Sequence, residues 1–359
     1  MIWLKNVWYV AGFDRELDAT NVVSRTFLGT PLVMFRSSGG ELSALEDLCP
    51  HRLMPLSAGR RVGDELQCGY HGLKFSVAGV CTEAPGQARP SSKACVRRFP
   101  LVSRHGLLFV WMGNPELADT ATIPALEWND DLAWVCSRGY HHLKADFRLA
   151  NDNLLDLSHE TYIHRKTIGN EEEETIANFP LATSLTPDSR VRAHREMPDI
   201  DPPPFFSMLL NHTGRIDRWQ TAINIPPSYN MTDAGVYPVG TPRRDAFRFH
   251  VLHLLTPETE STTHYFWSLA RNFRLDDESL TEGMLRGTHS TFDEDAVILE
   301  IQQRQVALHG GAVPRVALAL DEAPMRARRA LAQLIKREEE DPTVVYRPPA
   351  LIKDTDPVA

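Results

Sequence analysis

The sequence predicts an α+β protein with two domains, an all-β domain over residues 1–115 and a larger mixed domain over residues 116–359. Three observations carry this. The chain has 359 residues, more than one hydrophobic core usually organises. Up to about residue 115, short β-rich runs alternate with Gly, Pro, Asn and Ser clusters, the texture of a small all-β unit. Beyond that point, apolar residues recur at helical spacing in some segments and alternate with polar ones in others.

Taken in order, Thr30-Pro31-Leu32-Val33-Met34-Phe35 and Gly106-Leu107-Leu108-Phe109-Val110-Trp111 read as strands of the first domain. Gly113-Asn114-Pro115 closes it, and the polar stretch from Glu116 to Trp128, with Pro124 inside, reads as a linker. Arg148 to His164 predicts a helix whose apolar face includes Leu149, Leu154, Leu155 and Leu157. Glu171-Glu172-Glu173-Glu174 reads as a solvated loop, because adjacent carboxylates repel and resist burial. A divalent-cation site is the competing reading there, although such loops space their ligands with turn residues. Asp201-Pro202-Pro203-Pro204-Phe205-Phe206 reads as a stiff connection. Phe247 to Leu254 alternates as a strand, and helices around Leu280 to His309 and Ala323 to Glu340 close the chain. No internal repeat is present.

The composition, 42% hydrophobic and 24% charged, is that of a globular protein. A net charge of −9 argues against nucleic-acid binding, which needs a concentrated basic face. The opening residues are interrupted by Lys5 and Asn6, and Asp14 and Glu16 follow before any signal-peptide cleavage pattern. No run approaches the roughly 20 apolar residues that cross a bilayer, so the expectation is a cytoplasmic protein that does not enter a membrane. Five cysteines, an odd number, fit metal binding in a reducing compartment better than disulfides.

The first metal constellation is Cys49-Pro50-His51-Arg52 with Cys68-Gly69-Tyr70-His71. Each loop supplies one thiolate and one imidazole, and Pro50 and Gly69 allow tight turns. A Rieske [2Fe–2S] cluster requires two Cys on one iron and two His on the other. A structural zinc site uses the same ligand types, but zinc-finger spacing groups the cysteines together and the histidines together. Cys81, Cys95 and Cys136 have no such partners and read as small buried residues.

The second constellation lies in Asn151 to His164, where Asp152, Asp156, His159 and His164 give the pattern D-x3-D-x2-H-x4-H. On a regular helix Asp156 and His159 share a face, whereas the step from His159 to His164 needs a distortion or a helix end. Two His and one carboxylate form the facial triad that holds Fe(II) with open positions. A lone His is more simply a hydrogen-bonded core residue, but two of them among acids weaken that alternative.

The C-P-H-R and C-x-Y-H-G motifs and the D-x2-H-x4-H motif together resemble the oxygenase components of Rieske non-haem iron oxygenases, over nearly the whole length. The stretches Asn6 to Ala11, Asp152 to His164, Leu255 to Glu260 and Tyr265 to Phe273 are similar to the vanillate and dicamba O-demethylase type. The resemblance implies a Rieske domain held by Cys49, His51, Cys68 and His71, followed by a helix-grip catalytic domain, an antiparallel sheet with flanking helices. It implies iron ligation by His159 and His164, with Asp295 as third ligand and Asp293 as fallback, from a segment like the family's E-D-x4-E. It assigns Asp156 a bridging role in electron transfer between His71 of one subunit and His159 of the next, in a homotrimer. Asn230 and His253 would face the substrate, with a core role for either as the alternative.

The activity implied is O2-dependent oxidation of a methoxy C–H bond of an aromatic acid, releasing a phenol and formaldehyde. No G-x-G-x-x-G or Walker pattern is present, so electrons would come from a separate flavin and ferredoxin-type reductase fed by NAD(P)H. N-dealkylation, methyl hydroxylation and ring cis-dihydroxylation share these residues. A Rieske electron carrier is the alternative from another class, against which the length beyond the first domain and His159/His164 count.

Overall fold

The computed structural model describes residues 2–18, 20–171, 175–311 and 316–352. Its N-terminal part is all β, built from three small antiparallel sheets. One joins Trp8–Phe13, Leu107–Trp111 and Leu101–Arg104; a second joins Val23–Phe27, Thr30–Arg36, Leu42–Glu46 and Arg98–Phe99. The third, Arg60–Val62, Glu65–Gln67, Lys74–Phe75 and Cys81–Glu83, carries the second cysteine loop between its middle strands.

The C-terminal part is a seven-stranded antiparallel sheet. Its spatial order is Val135–Leu143, Thr263–Arg271, Phe247–Pro257, Tyr229–Pro238, Ile216–Ile225, Val191–Ile200 and Ala182–Leu185. Among the described residues five α-helices accompany it: α1 Phe147–Leu155, α2 Glu160–Ile163, α3 Pro204–Leu210, α4 Glu278–Leu308 and α5 Glu322–Glu340. One sheet face carries Thr232, Val251, His253, Tyr265 and Leu269 toward the helices, since paired residues on antiparallel strands share a face. The other meets the N-terminal strands, where Thr256 donates to the Val10 carbonyl at 2.6 Å and the rings of Phe13 and Phe266 pack edge to face. A single apolar core therefore runs from Trp8 and Trp111 through Phe266 and Leu252 to the helices, while a smaller core of Val33, Phe35, Leu66 and Phe75 packs against Cys49 and Cys68.

Several local expectations change. The stretch from Glu116 to Trp128 is no loose linker: Ile123, Leu126 and Trp128 are buried in the main core. Asp201 to Phe206 is not a connection throughout. Pro203 and Pro204 start α3, a position that needs no backbone N–H, and Phe205 and Phe206 are buried. Cys95 is exposed and Cys136 half-buried, so only Cys81 of the three remaining cysteines is buried. Glu172, Glu173 and Glu174 lie outside the described residues, and Glu171 is exposed.

The helix expected from Arg148 to His164 breaks in two. Its first part stops at Asp156, whose carboxylate accepts from Ser158 N at 2.9 Å and caps a 3-10 turn over Leu157–His159. An Asp side chain competes with a helical carbonyl for that amide, and the chain restarts as α2 in a new direction.

Candidate metal centres and cavity

The two cysteine loops are built alike. Cys49 N donates to Met54 O at 2.8 Å and Leu53 N to Cys49 O at 2.9 Å; Cys68 N donates to Leu73 O at 2.8 Å and Gly72 N to Cys68 O at 3.1 Å. The fifth residue of each loop, Leu53 or Gly72, takes positive φ, 57° and 77°, which costs Leu more than Gly. Both cysteines are buried with their thiols adjacent, whereas His51 and His71 are exposed with ring centroids 4.5 Å apart. Two sulfurs beneath and two imidazoles above are the donor set of a Rieske cluster, with the histidine iron toward the surface. Leu53 and Tyr70 are exposed beside these rings.

At the broken helix, His159, His164 and Asp295 converge. Nε2 of His159 and Nε2 of His164 are 3.2 Å apart, and Asp295 Oδ1 lies 3.5 Å from the first and 3.2 Å from the second. One ligand atom from each residue fits within 4.8 Å of the others. The awkward step from His159 to His164 is met by ending α2: His164 is its C-cap, and its carbonyl accepts from Thr167 N and Gly169 N. Gly169 is required there, because a Cβ would stand 2.2 Å from Glu160 O.

The hydrogen bonds of the two rings fix their tautomers. His159 Nδ1 donates to the Asp156 carbonyl and His164 Nδ1 donates to Glu294 Oε2 at 2.8 Å, leaving both Nε2 lone pairs free for one ion. Asp295 lies on the inward stripe of α4 formed by Leu280, Met284, Thr288, Thr291, Phe292 and Leu299. Asp293 points outward to His141 Nε2 at 3.2 Å. Burial opposes ionisation of Asp295, but the bond to His164 and the charges of both histidines hold its carboxyl below the usual range. Burial disfavours the His164 imidazolium, yet Asp295 and Glu294 override it and push that pKa up to about 9, so a cation binding at Nε2 would take the place of a proton there. Two neutral-capable imidazoles and a carboxylate converging on one point fit Fe(II).

Beside this triad opens a cavity of about 80 Å³. Its wall is mostly apolar, with Leu154, Leu157, Ile168, Phe205, Phe206, Ala234, Phe249, Val251, Leu269 and Phe292, and Thr232, His253, Thr288 and Gln220 add polar points. His253 lines it. Asn230 does not: its Nδ2 donates to Asn151 Oδ1 at 2.7 Å and its Oδ1 accepts from Asn224 at 2.7 Å, a buried amide network. Thr232, two residues on along the same sheet face, occupies the wall instead. Asp156 likewise meets His159 through its carbonyl, while its carboxylate bonds Ser158.

Sequence reasoning missed three supports. Glu294 orients His164; Asn153 donates to Asp295 Oδ1 at 2.9 Å; and buried Arg218 pairs with Glu160 Oε2 at 2.8 Å while Gln220 donates to the other Glu160 oxygen. Adjacency to a ligand was the available signal for Glu294 and Glu160. Nothing local marked Arg218.

Comparison with known proteins follows the same division. Residues 7–100 match the Rieske [2Fe-2S] domain, and residues 143–337 match the vanillate O-demethylase oxygenase C-terminal domain. The chain is 35% identical over 343 residues to the iron-sulfur subunit of a toluene-4-sulfonate monooxygenase system of Comamonas testosteroni, covering 94% of this chain and 98% of that one. It is 36% identical to a vanillate O-demethylase oxygenase subunit of Pseudomonas sp. (strain HR199), covering 94% and 96%. A crystal structure of dicamba monooxygenase bound to 3,6 dichlorosalicylic acid superposes with a TM-score of 0.85 at 33% identity, covering 93% and 98%. That enzyme has also been solved with non-heme iron and dicamba, at a TM-score of 0.78, 32% identity and coverage of 95% and 99%.

Proposed function

Because this chain belongs to the vanillate O-demethylase family of Rieske non-haem iron monooxygenases, we propose that it removes the methyl group of a methoxylated aromatic acid. The chain is an oxygenase component, with a Rieske cluster and a mononuclear iron as cofactors. Cys49, His51, Cys68 and His71 hold the first; His159, His164 and Asp295 hold the second. The observation that carries this reading is the convergence of those last three side chains at the wall of a mostly apolar cavity.

The bound iron supplies the activation of O2, with electrons passed on from the cluster. The net change takes ArOCH3, O2, two electrons and two protons to ArOCH2OH and water; the hemiacetal then collapses to the phenol and formaldehyde. The apolar wall excludes bulk water and holds the aromatic ring with its methyl group toward the triad. His253 is neutral, since burial pushes its pKa down to about 3, and it faces the substrate's oxygen substituent as a hydrogen-bond partner.

A separate flavin and ferredoxin-type reductase delivers the electrons. The exposed His51 and His71, with Leu53 and Tyr70 beside them, suit contact with another protein surface. In a head-to-tail homotrimer that surface would include the neighbouring subunit, with Asp156 bridging from His71 of one chain toward His159 of the next. We place the domain boundary at residues 115–116 and the enzyme in the cytoplasm, where NAD(P)H is available to its reductase. No helix among the described residues is long and apolar enough to cross a membrane.

The test is turnover of vanillate with reductase, NADH and O2. Stoichiometric formaldehyde and phenol are expected. Hydroxylation of an aryl methyl group without formaldehyde would favour the activity named for the toluene-4-sulfonate relative, and a cis-diol would indicate ring dihydroxylation.

A further inference from the structure

Tyr265, His253 and Thr232 stand on three adjacent strands of the cavity-facing sheet face. Tyr265 is 3% exposed and does not line the cavity, yet its Oη lies 2.6 Å from His253 Nδ1. His253 Nε2 lies 3.1 Å from Thr232 Oγ1, and both of these residues line the cavity. Phe292 packs with ring centroids 5.3 Å from each of His253 and Tyr265, which holds the two rings in place.

The proton count decides the direction of this chain. Among the described residues Tyr265 Oη meets no hydrogen-bond partner other than His253 Nδ1. A buried phenol that accepted from Nδ1 would leave its own O–H without an acceptor, a cost of about 1–3 kcal/mol. Tyr265 therefore donates, Nδ1 accepts, and the single proton of the neutral ring sits on Nε2. That N–H donates to Thr232 Oγ1 or into the cavity, and the Thr232 hydroxyl is left free to donate onward.

We propose that Tyr265 is a positioning residue that fixes His253 as its Nε2–H tautomer, so that the His253–Thr232 pair offers hydrogen to an anionic oxygen substituent on the aromatic substrate. This rests on the demethylase reading and deepens it: the pocket selects an aromatic acid by a directed donor, without a Lys or Arg on its wall among the described residues. With the other tautomer, a lone pair would face the carboxylate.

The experiment is calorimetric titration of the iron-loaded holoenzyme, kept anaerobic, with vanillate and with guaiacol, which lacks the carboxylate. Tyr265→Phe keeps the ring and removes one hydroxyl. It should weaken vanillate binding about tenfold while changing guaiacol binding less than about twofold. Thr232→Val, nearly isosteric, should show the same selective loss and covers the case in which Tyr265→Phe does not fold. Equal effects on both probes, or none, would overturn the role of Tyr265. Wild-type protein that prefers guaiacol, or binds neither, would instead overturn the aromatic-acid reading and the anchoring pair with it.

Discussion

Nδ1 of His164 lies 2.8 Å from Oε2 of Glu294, and this contact leaves Nε2 of the same ring as the atom that would meet a metal ion. Glu294 is also held by Thr167 Oγ1 at 2.9 Å, so the carboxylate and the imidazole are fixed in one orientation. Replacing Glu294 by Gln keeps the shape and removes the charge. We expect the affinity for Fe(II) to fall roughly 10- to 100-fold, read by chelator competition, with the cluster unaffected.

His159→Ala removes one of the three side chains proposed to hold the mononuclear iron and leaves the N-terminal loops untouched. Iron should fall from about three to about two per chain, with formaldehyde production abolished and cluster reduction by the reductase retained. Loss of the cluster signal as well would mean that the two sites are not independent.

Arg218 and Glu160 are both nearly fully buried and 2.8 Å apart, with Arg218 also stacked 4.5 Å over the Phe206 ring. Arg218→Ala leaves the Glu160 charge uncompensated beside His159. A loss of about 3–5 kcal/mol in urea unfolding is expected. The double replacement Glu160→Gln with Arg218→Met should recover part of it.

The fold and site were unequally legible in the sequence. The cysteine loops, His159 and His164 announce themselves by motif, and Asp295 by the likeness of its segment to the family's E-D-x4-E; α4 then sets it as the charged residue on a buried stripe of Leu, Met, Thr and Phe. The break at Asp156 is hidden, because α1 and the turn after it share helix-compatible residues and a single side-chain cap decides between them. Leu53 gives no sign of its left-handed backbone; only its equivalence with Gly72 in the other loop explains it. Arg218, Tyr265 and Thr232 come from strands distant in sequence from the iron motif, and only sheet register brings Thr232 to the cavity and places the other two behind residues that line it.

Buried His253 gives stability a pH dependence. Its pKa is about 3 in the folded protein and roughly 6.5 unfolded, so between those values the unfolded chain binds a proton that the native one does not. Stability contributed by this site is full above pH 6.5 and falls as the pH drops toward 3. His253→Gln removes that component. On acidification from pH 7.5 to 5, the variant should lose about 2 kcal/mol less than wild type in urea unfolding; parallel losses would show His253 to be protonated in the fold.

The central claim, two distinct iron sites in one chain, is tested most directly by low-temperature EPR of the dithionite-reduced protein together with iron and zinc analysis. A Rieske-type signal with about three irons per chain, two in the cluster and one mononuclear, is the predicted result. Zinc in place of iron with no Rieske signal would contradict it.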